Sequence, residues 1–396
     1  MGARVGNGDG SREADGRRLA GLLAPMLDRV PAEQVCLDAA AWHALATRAV
    51  RERLGPLLHA ALQRAGRADV PTAVQTLLAQ EHCRAAASAL YQQQELAAIL
   101  RACADAQIPC IVLKGSALAV TLYPDPALRP CGDIDLLFPP DTIPQVMAIL
   151  DELGYQNRYH AGRTDRLPRT TSEHHCSRAG RRPSIVEPHW HITSNAYYAR
   201  RMPSAWFWQQ TTPAMIGGEP TQVLATSAQF LHLVSHYALH YQGHHLLWLF
   251  DIALLVRHVP DWEWVALAGQ ARSFGLAQFA RDVLNQVQRI WDVDLPRAGM
   301  AALAQTPTDF GERVAGWAMQ RPGAPPWLLW QAVHTPSRRL RLQLLARLVL
   351  PSRTDARRFC RGEGRRSLAG AYGRRLVQLP GELLTAGWAL WRMRHP

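Results

Sequence analysis

Asp133-Ile134-Asp135 sets two carboxylates two residues apart. In an extended chain such residues share one face, while the residue between them turns the other way. Ile134 and Leu136 then enter the core. The two aspartates stand about 7 Å apart along one face, a spacing that can chelate Mg²⁺, which takes hard oxygen ligands and keeps waters for a phosphate to replace. Residues 184–192 alternate in the same way, with Val186, Trp190 and Ile192 on one face and Glu187, His189 and His191 on the other. Glu187 on a neighbouring strand would complete a two-metal clamp for in-line attack at phosphorus.

Gly115-Ser116 supplies the complementary half. A glycine lets a phosphate come close to the backbone. A helix starting just after it offers free N–H groups and a partial positive charge to an anion. Lys114, the only lysine in the chain, stands beside this pair. It reads either as a contact to a phosphate oxygen or as a strand-end residue in solvent. A D-x-D pair alone is a weak signal. Asp292-Val293-Asp294 is a second one, but it follows a helical stretch and has no Gly-Ser partner, so it reads as structural.

The elements that must position these residues follow from the apolar pattern. Residues 18–106 read as helical, with no Gly or Pro between Ala73 and Ala106, and offer no obvious chemical site. The run Ile108 to Leu113 reads as a buried strand. A helix over Ala117–Tyr123 follows, with Ser116 as its N-cap. A strand over Asp133–Phe138 comes next, then a helix from Thr142 to Leu153 stopped by Gly154. Further strands are expected near Tyr155, at His174–Ser177 and at Ser184–Ile192. From Ala225 the pattern is helical again, over Ser227–Tyr241, Leu246–His258, Asp261–Phe274 and Leu276–Trp291. The expected organisation is a disordered tail over 1–17, a helical region over 18–106, an α/β core over 107–224, a helical domain over 225–335 and an Arg-rich helical segment over 336–396.

Leu113-Lys114-Gly115-Ser116, Leu122-Tyr123-Pro124, Arg129, Asp133-Ile134-Asp135-Leu136-Leu137, Glu187-Pro188-His189-Trp190 and Leu246 to Asp251 together resemble an uncharacterised nucleotidyltransferase family. That family lies within the DNA polymerase β-like superfamily. The resemblance runs from about residue 70 to 295. It implies an α+β fold, a small mixed sheet with helices, flanked by N- and C-terminal helical regions. It carries the superfamily's Gly-Ser and D-x-D onto Gly115, Ser116, Asp133 and Asp135. The third metal ligand maps onto Glu187, where relatives usually have Asp in an Asp-x-His-Trp pattern. It implies two Mg²⁺ ions, with Mn²⁺ as a substitute, and an NTP donor whose nucleoside monophosphate is transferred.

The supporting residues admit more than one reading. Arg129 either covers the triphosphate, since a guanidinium matches phosphate geometry, or packs the loop. His189 either orients Glu187 and touches substrate or is a satisfied, partly buried imidazole. His174 and His175 straddle a strand, so at most one faces the cleft. His232, His236 and His240 recur on one helix face, as zinc ligands, as a polar face beside the cleft, or as packing. Asp251, set among apolar residues, requires a partner: one of these histidines or an arginine.

Composition narrows the classes. The chain has 396 residues, 48% hydrophobic and 19% charged, which fits a globular protein. No long uncharged apolar run or secretory leader is visible, and the seven cysteines include no C-x-x-C pair. A cytoplasmic home, with peripheral membrane association as an option, follows. The net charge of +12 is uneven: from Ser337 onward fourteen Arg face three acids, a net +11. That segment fits an anionic partner or membrane surface, or a set of packing helices with a solvated Arg face. The function that the family resemblance implies is Mg²⁺-dependent transfer of a nucleoside monophosphate from an NTP to a hydroxyl of a peptide, protein or small molecule, releasing pyrophosphate. Relatives suggest a natural-product peptide or polysaccharide pathway. Two alternatives stand beside it: a D-x-D glycosyltransferase using a sugar nucleotide, and a weak nucleotide-binding protein whose basic tail binds a partner.

Overall fold

The computed structural model describes residues 9–28, 37–157, 172–180, 183–240, 246–258, 262–308, 310–319, 325–335, 338–349 and 368–394. Of the expected tail, residues 1–8 lie outside the described residues, and α1 already begins at Asp9 (Asp9–Leu23). Helices α2 (Ala39–Arg51), α3 (Gly55–Arg64) and the 34-residue α4 (Thr72–Asp105) complete the N-terminal region. The length of α4 reflects a stretch without Gly or Pro, rich in Ala, Leu and Gln, all good helix formers.

The sheet has seven strands: β1 (Ile111–Val112), β2 (Ile134–Leu137), β3 (Gln156–Asn157), β4 (Cys176–Arg178), β5 (Ser184–His189), β6 (Thr211–Ile216) and β7 (Glu219–Leu224). Their spatial order is β3-β4-β5-β2-β1-β7-β6. β2 lies at the centre, parallel to β5 and antiparallel to β1, so the sheet is mixed. Helix α5 (Lys114–Thr121) follows β1, and α6 (Ile143–Glu152) follows β2. Gly154, at φ +83°, turns the chain out of α6 into β3. The segment between β5 and β6 forms two short helices, α7 (Ala196–Arg201) and α8 (Ser204–Gln209).

The two sheet faces feed separate cores. Val112, Ile134, Leu136, Phe138 and Val186 pack under Leu96, Ile99 and Leu100 of α4 and Ile143, Val146 and Leu150 of α6. The alternate residues Ile111, Leu113 and Leu137 join the other core. That core is built from α1–α3 together with α9 (Thr226–His240), α10 (Leu246–His258), α11 (Trp264–Phe274) and α12 (Ala277–Trp291). The helices before and after the sheet therefore share one interior. α13 (Arg297–Gln305), α14 (Phe310–Met319), α15 (Pro325–His334), α16 (Arg338–Val349) and α17 (Leu368–Arg394) follow.

The β6–β7 hairpin was not anticipated. Gly217 and Gly218 both take positive φ, +61° and +84°, and make the two-residue turn. Pro213 and Pro220 interrupt the apolar alternation of the two strands. β6 is an edge strand, where proline is tolerated.

Candidate active site

The register of the parallel pair β2–β5 sets Asp135 directly beside Glu187. Both carboxylates are almost completely buried, at 3% and 7% exposure. Ile134, Leu136 and Val186 occupy the opposite face, which is why these acids cannot turn into the core. Asp133 lies one residue ahead of β2 and is half-buried.

Asp135 is held by two cations. Lys114 Nζ donates to its Oδ1 at 2.6 Å, and His189 Nε2 donates to the same oxygen at 2.8 Å. Burial raises the proton affinity of this carboxyl, but the Lys114 ammonium and the His189 imidazole outweigh it and hold Asp135 well below the usual carboxylate range. Burial and Lys114 pull the His189 imidazole down. Its bonds to Asp135 and Glu173 more than offset them, raising it to about 9. His189 is thus an imidazolium donating from both nitrogens, with Nδ1 3.1 Å from Glu173 Oε2. Its Nε2 also lies 3.8 Å from Glu187 Oε2.

Asp133 behaves differently. Burial, then Asp135 and Glu187, raise its carboxyl to about 6. An acid pushed up by two neighbouring acids marks a place where positive charge is wanted. The nitrogen and oxygen atoms of Asp135, Glu187 and His189 lie within 4.8 Å of one another, as do those of Glu173, His175 and Glu187. Glu187 belongs to both groups. The carboxylates of these groups are the oxygen donors that fit a divalent cation such as Mg²⁺ or Mn²⁺, while His189 orients them.

Lys114 takes φ +47°, a left-handed conformation unusual for a residue with a side chain. This turns the chain from β1 directly into α5, so the helix starts at Lys114, three residues earlier than its sequence suggests. Leu113, not Ser116, occupies the N-cap position, and no side chain caps the helix. The first-turn N–H groups of Lys114, Gly115 and Ser116 therefore form an uncapped, positively polarised end next to Asp135. Gly115 has a structural reason as well as a phosphate one. A Cβ there would lie 2.8 Å from Cys131 Sγ and 3.1 Å from Arg129 Nη1. Ser116 lines a small cleft with Gln92, Arg129 and Cys131.

Arg129 does not face the carboxylates. Its guanidinium is buried against Asp251, with Nε 2.9 Å from Oδ1 and Nη2 2.7 Å from Oδ2. Tyr123 donates to Asp251 Oδ1 at 2.6 Å. The buried acid of α10 thus takes an arginine as its partner, not one of the α9 histidines. Among those, His232 is fully buried and His236 packs on Trp248 at 4.1 Å between ring centroids. The side chain of His240 lies outside the described residues.

Both expected strand histidines fall just before β4, and of the two His175 meets Glu187, with Nε2 2.8 Å from Oε1. His174 packs on Trp190 instead. Glu173 is drawn in by its bridge pairing with His189. The i, i+2 spacing of Glu173 and His175 is the signal that could have placed both on the site face. The N-terminal helices also reach the site. Arg53, just after α2, lies against Gly132, where a Cβ would be 3.1 Å from its Nη1, and its charge acts on Asp133. His191 falls beyond β5 and pairs with Ser204 at 3.1 Å. Asp292 caps the end of α12 in a left-handed conformation and is exposed, as expected of a structural D-x-D.

A family model described as an uncharacterised nucleotidyltransferase matches residues 38–292, well over half of the chain. The chain belongs to this uncharacterised nucleotidyltransferase family. The match begins at α2, so the family unit includes α2 and α3, which share the interior with α9–α12. The expected α+β core, a mixed sheet with helices flanked by helical regions, is the architecture seen here. A solved structure of an antigenic nucleotidyltransferase-like protein from Paracoccidioides brasiliensis is similar at 13% identity and a TM-score of 0.35, over 54% of this chain and 92% of that one. That likeness is too distant to assign any residue. No curated protein matches the chain.

Proposed function

We propose that this nucleotidyltransferase transfers a nucleoside monophosphate from an NTP to an acceptor hydroxyl, releasing pyrophosphate, with divalent cations held by Asp133, Asp135 and Glu187. The observation that carries this reading is the side-by-side register of Asp135 and Glu187, next to Asp133 and the uncapped start of α5. Bound cations would neutralise the triphosphate and lower the pKa of the attacking hydroxyl. Gly115 and Ser116 hold phosphate oxygens through backbone N–H groups and the serine hydroxyl. Lys114 exchanges Asp135 for a phosphate oxygen when the nucleotide enters. The acceptor oxygen bonds to the α-phosphorus, the bond to pyrophosphate breaks, and the hydroxyl proton passes to Glu187. His189 fixes the orientation of Asp135 and Glu187, and Glu173 fixes the imidazole. Arg129 supports the nucleotide site from behind, by holding the loop that closes over Gly115.

The acceptor class proposed, on the family resemblance alone, is a peptide, protein or small molecule of a natural-product or polysaccharide pathway. The test is incubation with each α-labelled NTP, Mg²⁺ or Mn²⁺, and host lysate, followed for pyrophosphate and for labelled product. Glu187→Gln keeps the shape and removes the charge. It is expected to slow single-turnover transfer by orders of magnitude while nucleotide binding persists, and Glu187→Asp to retain partial activity. Release of a nucleoside diphosphate from a sugar nucleotide would replace this reading with glycosyl transfer. Unimpaired turnover by Glu187→Gln would move the third ligand to Glu173.

A further inference from the structure

Among the described residues, large apolar side chains left in solvent gather at the C-terminal end. Eight of the twelve lie between Val333 and Trp391. α17 carries five of them. Val377, Leu384, Trp388 and Trp391 are 81%, 76%, 55% and 60% exposed. Beyond Pro380, Leu384, Trp388 and Trp391 stand four and three residues apart, a spacing that places them in one narrow stripe of the helix. The opposite side of α17 is the one that docks. Ala386, half a turn away from the stripe, is buried. Arg313 of α14 donates to the Met393 carbonyl at 3.2 Å, and α14, α15 and α16 pack along the helix. The apolar stripe is therefore what α17 presents outward after it has packed on the body.

The charge around this stripe has one sign. Arg392 and Arg394 flank it, and Arg392 lies 3.8 Å above the Trp388 ring, a cation–π pair. α16, packed against α17, adds exposed Arg338, Arg339 and Arg341. Glu382 is the only acid of α17, and helical spacing sets it towards the docked side. The chain from Ser337 onward carries a net +11. Arginine pairs with phosphate in a bidentate manner, and tryptophan settles where apolar and polar media meet. A protein partner would need a groove shaped to a single 27-residue helix. An anionic bilayer surface needs only a cationic, Trp-bearing stripe on a convex surface, which is what the helix shows. No described helix is long and apolar enough to cross a membrane.

We infer that α17 seats the protein on an anionic lipid surface, lying in the interface plane with Leu384, Trp388 and Trp391 entering the acyl boundary and the flanking arginines on lipid phosphates. This is independent of the nucleotidyl-transfer reading, since none of these residues belongs to the carboxylate site.

The test is flotation of the full-length protein with phosphatidylcholine vesicles, with and without about 30% phosphatidylglycerol, at low and high salt. The expected result is co-flotation with the anionic vesicles only, weakened by salt. The triple variant Leu384→Ser, Trp388→Ser, Trp391→Ser is expected to reduce the floating fraction at least tenfold. Its thermal melt is expected to match the parent's, because the three side chains are exposed. The variant Arg392→Glu, Arg394→Glu keeps the stripe and is expected to lose the preference for anionic vesicles. Equal flotation of the triple variant and the parent would overturn the proposal. So would equal flotation with neutral vesicles, or salt-dependent binding of the parent to single-stranded RNA without flotation.

Discussion

Because Asp135 accepts from both Lys114 and His189, while Asp133 stands mainly among other acids, replacing each by asparagine has opposite effects on stability. Two like charges in one site would be expected to destabilise the fold equally, so that removing either would help. The geometry restricts that argument to Asp133. Measured in chelator at neutral pH, Asp133→Asn is expected to hold or raise the melting temperature. Asp135→Asn takes the carboxylate from the buried Lys114 ammonium and leaves His189 with Glu173 and Glu187, and is expected to cost about 3–5 kcal/mol, the usual cost of breaking a buried pair from one side. Both variants are expected to lose nucleotidyl transfer. Asp292→Asn, at the exposed end of α12, is expected to change neither property. A stable Asp135→Asn protein would show that Lys114 and His189 do not depend on that carboxylate.

At the scale of elements, the loop after α5 does two jobs. It presses Cys131 against Gly115, and it carries Arg129 to the Asp251 carboxylate of α10, 122 residues away. Gly115→Ala is expected to destabilise by roughly 1–3 kcal/mol, typical of overpacking. Cys131→Ala in the same chain is expected to recover part of that loss, since it removes the 2.8 Å contact and leaves the tight one, 3.1 Å to the pinned Arg129 Nη1. Denaturant unfolding of the two single variants and the double variant gives this coupling directly. The Arg129–Asp251 tie obeys similar logic. Arg129→Ala leaves a buried carboxylate with only Tyr123 and is expected to cost about 3–5 kcal/mol. The double variant Arg129→Leu, Asp251→Leu is expected to be more stable than Arg129→Ala alone. If the costs simply add, the pair is not what joins the loop to α10.

The molecule as a whole is organised around one interior shared by α1–α3, α9–α12 and one face of the sheet. The carboxylates sit where that face leaves the apolar core, so the site depends on helices from both ends of the family unit. α17 stands outside this arrangement and touches the body through α14, α15 and α16. Deleting residues 337–396 is expected to lower the melting temperature by a few degrees, because faces of α14 and α15 become exposed. If the proposed site at α5 binds the NTP, nucleotide affinity is expected to stay within about twofold, and retention on heparin to fall with the loss of eleven net charges. Isothermal titration and salt-gradient elution measure the two effects. A large loss of nucleotide affinity would mean that the C-terminal helices support the site.

Local rules suffice for much of this protein. Parity of the D-x-D strand, the alternation around Glu187, the uninterrupted helical stretch of α4 and the stop at Gly154 are properties of neighbouring residues, and they were legible in the amino-acid order. The start of α5 was not. It depends on Lys114 adopting a left-handed conformation that residues with side chains disfavour, and the buried pair with Asp135 holds it there. The β6–β7 hairpin carried a Gly-Gly turn, but its prolines hid the strands until edge position made them acceptable. The partners of His189, Arg129 and Asp251 come from segments far apart in the chain. Only the packed interior decides such pairs, because each buried charge takes the opposite charge that the fold brings within hydrogen-bonding distance.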